Sequence, residues 1–139
     1  MKKLLFLALV ALVSCTSNEA AKQQLIGNWQ YNKDAMVQAV KEREAVSDQE
    51  ILNVQQFADM YSRDVFVFQE DGQLLLNAAA GSPLSGTWEL NADGSELTIN
   101  LGAKGKPSKI LSISGNKLVL EPIAKEGRLN FPRIFKRVE

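Results

Sequence analysis

The sequence predicts a mainly β fold: an eight-stranded antiparallel up-and-down barrel with a helical insertion between strands 1 and 2. Three observations carry this. From Asp64 onward, apolar and polar residues alternate with the period of strands buried on one face. Turn signals separate these short runs in quick succession, which favours an antiparallel meander. The runs also number eight, one of them ahead of the helical stretch, and eight strands can close a barrel without exposed edges. A flattened sandwich of the same strands and a helix against an open sheet are the competing architectures.

In chain order, Met1-Lys2-Lys3 is a short positive start, and Leu4 to Val13 is a ten-residue apolar run. The run is too short to span a bilayer as a stable helix and fits the apolar part of a secretory signal. Leu12-Val13-Ser14-Cys15 resembles a bacterial lipobox. That resemblance implies removal of a signal peptide, residues 1–14, and a lipidated Cys15. The thiol would carry a diacylglyceryl thioether and the freed amine an acyl chain such as palmitate. Several acyl chains anchor firmly where one is marginal. Thr16 rather than Asp follows the cysteine, which in Gram-negative lipoproteins of this kind favours the outer membrane. Its periplasmic face and the cell surface remain alternatives. Residues 15–24 are polar and small and read as a tether, with enough Ala and Gln to form a helical turn instead. Residues 25–139 are the folded domain.

Residues 25–31 form the first strand. Asp34 is a candidate cap for a short helix whose apolar face is Met36, Ala39 and Val40. A second helix, 47–61, is better specified. Ser47 and Glu50 make a capping box, Val46 and Ile51 a hydrophobic staple, and Ile51, Val54, Ala58 and Tyr61 recur at helical spacing. The remaining strands are read at 65–70, 73–77, 86–91, 96–101, 109–114, 117–121 and 129–138. Asp71-Gly72, Asp93-Gly94 and Gly115-Asn116 supply turns between them. Pro132 interrupts the last strand or confines it to an edge. The alternation points Phe66, Phe68, Trp88, Leu97, Ile99, Leu111, Ile113, Leu118 and Leu120 into the barrel.

The first strand contains Gly27-x-Trp29. The glycine admits a close backbone approach or an unusual dihedral angle. The tryptophan brings a large apolar surface and one N–H that needs a partner. In this motif the chain resembles the lipocalins, and more closely the small lipocalin-like lipoproteins of Bacteroides-type bacteria. The resemblance implies a barrel plugged at one end by Trp29 beneath a cation from the last strand. Arg133 is the candidate cation and Arg137, of the same strand parity, the alternative. It also implies that the nine inward residues wall a site for a small apolar ligand. The alternative is a filled barrel, in which these residues are core and the protein is a structural or interaction module with an envelope protein partner. Lipocalins usually join their first two strands by a loop; the helical connection departs from that and is expected to cover the barrel mouth.

Composition narrows the function further. The chain has 139 residues and formal net charge zero; removing residues 1–14 takes away Lys2 and Lys3 and leaves 14 basic against 16 acidic residues. That gives no general basic field for nucleic acid. Without histidine there is no imidazole base and no His-ligated metal, and Cys15 as the single cysteine excludes an internal disulfide. No G-x-S-x-G and no phosphate-binding glycine loop occur. Asp71 and Asp93 have sufficient roles in turns. Lys104, Lys106 and Lys109 form a local basic run, either a solvated loop or a contact for lipid head groups or envelope glycan. The expectation is a non-enzymatic protein without cofactor or metal, held at the membrane through Cys15.

Overall fold

The computed structural model describes residues 16–139, so the predicted signal segment and Cys15 lie outside the described residues. Eight antiparallel strands close into a barrel in sequence order, each paired with the next and β8 with β1. They are β1 Gly27–Tyr31, β2 Val65–Phe68, β3 Gln73–Asn77, β4 Leu84–Leu90, β5 Glu96–Asn100, β6 Ser108–Ile113, β7 Lys117–Leu120 and β8 Arg133–Val138. Closure leaves every strand two partners, so neither sandwich nor open sheet applies.

Two helices, α2 Lys33–Lys41 and α3 Asp48–Tyr61, occupy the β1–β2 connection. The capping box of α3 is complete: Ser47 Oγ accepts from Glu50 N at 3.2 Å, and Ser47 N donates to Glu50 Oε2 at 2.8 Å. The cap of α2 is Asn32, not Asp34. Asn32 N still donates to Ile134 O at 2.7 Å, while its side chain accepts from Ala35 N at 3.1 Å. One residue ends the ladder and starts the helix, which leaves Asp34 in the first turn. Met36, Val40, Val54 and Ala58 are the buried faces of this pair. α2 and α3 pack together over β8 and the short 3-10 turn Gly127–Leu129. The last strand starts at Arg133, directly after Pro132.

Residues 16–24, expected as a tether, belong to a ten-residue helix, α1 Thr16–Leu25. Ala21 and Leu25, four apart and therefore on one face, are buried. Asn18 Nδ2 donates to Asn91 O at 2.6 Å, fixing the helix to the β4–β5 turn.

The registers define two ends. At the lower end lie Gly27, the carboxyl end of β8, and the turns 69–72, 91–95 and 114–116. At the upper end lie Tyr31, α2, α3 and the longer connections 78–83, 101–107 and 121–132. The lower half is solid with Trp29, Phe68, Leu74, Trp88 and Leu118, all buried.

The predicted inward position of Leu111 is corrected. β6 carries a bulge: Ile110 pairs with Leu120, but Ser112 pairs with Val119. The extra residue shifts the alternation by one, so Ile110 and Ile113 both pack toward the core while Leu111 is 57% exposed.

Candidate ligand pocket and barrel closure

The lower end is closed by the Gly27-x-Trp29 strand. Trp29 is fully buried and its Nε1 donates to Leu25 O at 2.8 Å, so the indole N–H finds its partner in α1. The cation above it is Arg137, whose guanidinium carbon lies 4.3 Å from the ring centroid. Arg137 also donates to Gly115 O at 2.5 Å, to Ile26 O at 2.8 Å and to Gln24 O. It thus ties β8 to the β6–β7 turn and to the end of α1. Gly27 makes room for it: φ is +133°, and a Cβ there would collide with Nη1 of Arg137. Both properties of the glycine, its dihedral angle and its missing side chain, are in use.

Arg133, the candidate drawn from parity alone, is not over Trp29. Trp29 pairs directly with Arg137. Arg133 lies four residues away along β8, about 13 Å toward the upper end at the rise of a strand. There it is half-buried and points inward. Its Nε and Nη2 donate to Glu121 O at 3.1 and 3.0 Å, and Nη2 donates to Ser108 Oγ at 2.8 Å. Burial pulls its pKa down, with Tyr31 and Glu121 pulling it back up; a guanidinium keeps its charge all the same.

Arg133 sits in a pocket of ≈ 440 Å³ at the upper end. Phe66, Leu97, Ile99 and Leu120 supply apolar wall; Tyr31, Arg133, Ser108 and Glu121 supply the polar part. Lys106, Pro107, Pro122 and Ile123 complete the lining from the β5–β6 and β7–β8 loops. No described residue of α2 or α3 lines it. The helices pack over β8 and the Gly127–Leu129 turn, and the pocket lies among the barrel strands and the β5–β6 and β7–β8 loops. It forms where β5 and β6 part, since these strands pair only at Glu96 with Lys109 and Leu97 with Ser108. Beyond that the loop folds back on β5. Gly105 N donates to Asn100 Oδ1 at 2.7 Å, and a Cβ on Gly105 would collide with the Ile99 carbonyl.

The nine residues predicted as ligand wall therefore divide. Phe66, Leu97, Ile99 and Leu120 line the pocket. Phe68, Trp88 and Leu118 fill the lower half, Ile113 packs beside them, and Leu111 faces solvent. Of the lysine run, Lys106 reaches the pocket rim, while Lys104 and Lys109 are exposed. Tyr31 was missed as a site residue although it shares the parity of Trp29. It stacks on Phe135 at 4.4 Å and meets Phe57 and Phe66 edge-on at 5.2 and 5.6 Å. Its phenol is pushed up to about 12, chiefly by burial, with Arg133 pulling the other way. Arg133 and Arg137 alternate with Phe131 and Phe135 on one strand face, and with one cation assigned to Trp29 the other was the available signal for a polar pocket, because a barrel interior holds a charge only with polar company.

A smaller hollow of ≈ 290 Å³ lies beneath α1, between Asn18, Lys22 and the β2–β3 turn. Among the described residues no three Asp, Glu, His or Cys side chains gather around a metal-sized space.

No family model matches the chain, and no curated protein matches it. Solved structures similar to it include two from Bacteroides species. A lipocalin-like protein from Bacteroides uniformis shares 16% identity at a TM-score of 0.49, over 83% of this chain and 99% of that one. A DUF4847 family protein from Bacteroides vulgatus shares 16% identity at a TM-score of 0.46, over 80% of this chain and 91% of that one.

Proposed function

We propose that this protein binds a small apolar molecule in the upper pocket and holds it at the cell envelope. The observation that carries the reading is the contrast between the two halves of the barrel. The lower half is packed and sealed by Trp29 and Arg137, while the upper half leaves ≈ 440 Å³ against Phe66, Leu97, Ile99 and Leu120. That volume falls within the range of small-molecule sites. A wholly filled barrel, the basis of the interaction-module alternative, would have no such space. Binding without chemistry is the reading for the site, whose polar groups are one arginine, one tyrosine, one serine, one lysine and one glutamate without a histidine among them.

The envelope part of the proposal rests on the sequence of residues 1–15 and on lipidation of Cys15. Native mass spectrometry of protein extracted from its own membrane tests the ligand; a co-purifying small molecule lost on Leu97→Trp supports it, and mass-clean protein from every preparation removes it. Intact-mass comparison with Cys15→Ser tests the anchor. The wild-type protein should be heavier by the acyl groups, and masses differing only by the substituted atom would end the claim.

A further inference from the structure

The pocket has an apolar wall and one cationic corner. Arg133 projects into it from β8, and its hydrogen-bond acceptors, the Glu121 carbonyl and the Ser108 hydroxyl, are neutral. Tyr31 lines the same pocket, and the Arg133 charge acts on its phenol. Among the described residues no carboxylate comes within ion-pair distance of Arg133. The charged groups lining the pocket are Arg133, Lys106 and Glu121, an excess of one positive charge. The Glu121 carboxylate accepts from Lys109 N at 2.9 Å and acts on Arg133 through its charge without pairing with it. A half-buried cation without a direct ion pair is costly, and a bound anion would relieve that cost.

We propose that Arg133 and Tyr31 form an anion-binding subsite, and that the ligand of this pocket is an amphiphile with a single carboxylate on an apolar body. The proposal rests on the ligand-binding reading above and specifies the chemistry of the ligand. Nε and Nη2 of Arg133 are held by Glu121 O and Ser108 Oγ, which leaves Nη1 to donate a charge-assisted hydrogen bond to a carboxylate oxygen. The phenol stays protonated at neutral pH and can donate a further hydrogen bond to the same group. The apolar body then lies along Phe66, Leu97, Ile99 and Leu120. The single excess charge selects a monoanion, since a phosphate monoester would bring a second negative charge that the pocket does not balance.

The test is isothermal titration calorimetry of the full chain at neutral pH with decanoate, 1-decanol and decyl phosphate. Decanoate should bind at least about tenfold tighter than 1-decanol, the scale of one charge-assisted hydrogen bond. Arg133→Gln should erase that preference, Arg133→Lys should keep part of it, and Tyr31→Phe should reduce it about threefold. Because Arg133 also ties β8 to β6 and β7, circular dichroism accompanies each variant. Where Arg133→Gln does not fold, Tyr31→Phe and the wild-type ligand series decide. Equal binding of decanoate and 1-decanol by wild type would overturn the subsite and leave the apolar pocket standing. Tighter binding of decyl phosphate would overturn the monoanion selection. Binding of none of the three would overturn both the subsite and the pocket's role.

Discussion

Trp29 is the bulkiest fully buried side chain among the described residues. Its two polar obligations are met by different ends of the chain: Leu25 O accepts its N–H, and Arg137 covers its ring. Trp29→Ala should cost about 3–5 kcal/mol, the lost transfer energy plus a cavity. Denaturant melts should show coupling between Trp29→Ala and Arg137→Ala, as expected of residues in contact, and additivity between Trp29→Ala and Arg133→Ala. Gly27→Ala should destabilise through both the positive φ and the displacement of Arg137. Tyr31 gives the residue scale a pH signature. Its folded pKa, about 12, lies above its ordinary value of 10.0. A raised folded pKa contributes stability that is present in full below pH 10 and lost as pH rises through 12. By linkage the contribution is about 3 kcal/mol. Alkaline melts of wild type and Tyr31→Phe should differ by this component across that window, and parallel pH profiles would refute the assignment. The pair Gly27 and Trp29 was legible in sequence because a motif announces it. The choice between Arg133 and Arg137 was not: both have inward parity, and only the pairing register separates them.

At the scale of elements, legibility followed the strength of local chemistry. Helix α3 announces itself through a reciprocal cap that needs only Ser47 and Glu50. Ser47→Ala should cost about 1 kcal/mol, and amides of residues 54–58 should exchange slowly, because Val54 and Ala58 are fully buried where α3 packs on α2 and the Gly127–Leu129 turn. Exchange there at the rate of an unstructured peptide would show that the insertion does not dock. Helix α2 was legible, but its cap was misplaced by two residues. Asn32 and Asp34 are equally able to cap, and what decides is the tertiary ladder bond from Asn32 to Ile134. In β6 the adjacent apolar pair Ile110-Leu111 admits either parity. The bulge that resolves it is set by the fit of β6 to β7, which no local pattern encodes. Helix α1 has a weak local signal because Ala21 and Leu25 are its only buried positions among the described side chains, and the barrel floor supplies the partner that makes it form.

Over the whole molecule, the eight-strand count and the helical insertion were readable because period and turn chemistry repeat down the chain. The pocket was half readable. Alternation identifies the residues that point inward, but not the depth at which the interior stops being filled. That depth depends on where bulky side chains such as Phe68, Trp88 and Trp29 crowd one end, and on β5 and β6 parting after two paired positions. Helix α1 has a bearing on delivery. It begins one residue after Cys15 and ends in the plug, so the expected ten-residue flexible leash is replaced by a strut about 15 Å long. An anchor at Cys15 would then hold the sealed floor toward the bilayer and turn the pocket opening outward, toward the aqueous phase. Cargo would arrive and leave by diffusion through water, not by sliding up from the membrane. A fluorophore on Ile123, at the pocket rim, should accordingly escape quenching by spin-labelled lipids, whereas one on Asn91, at the floor, should be quenched.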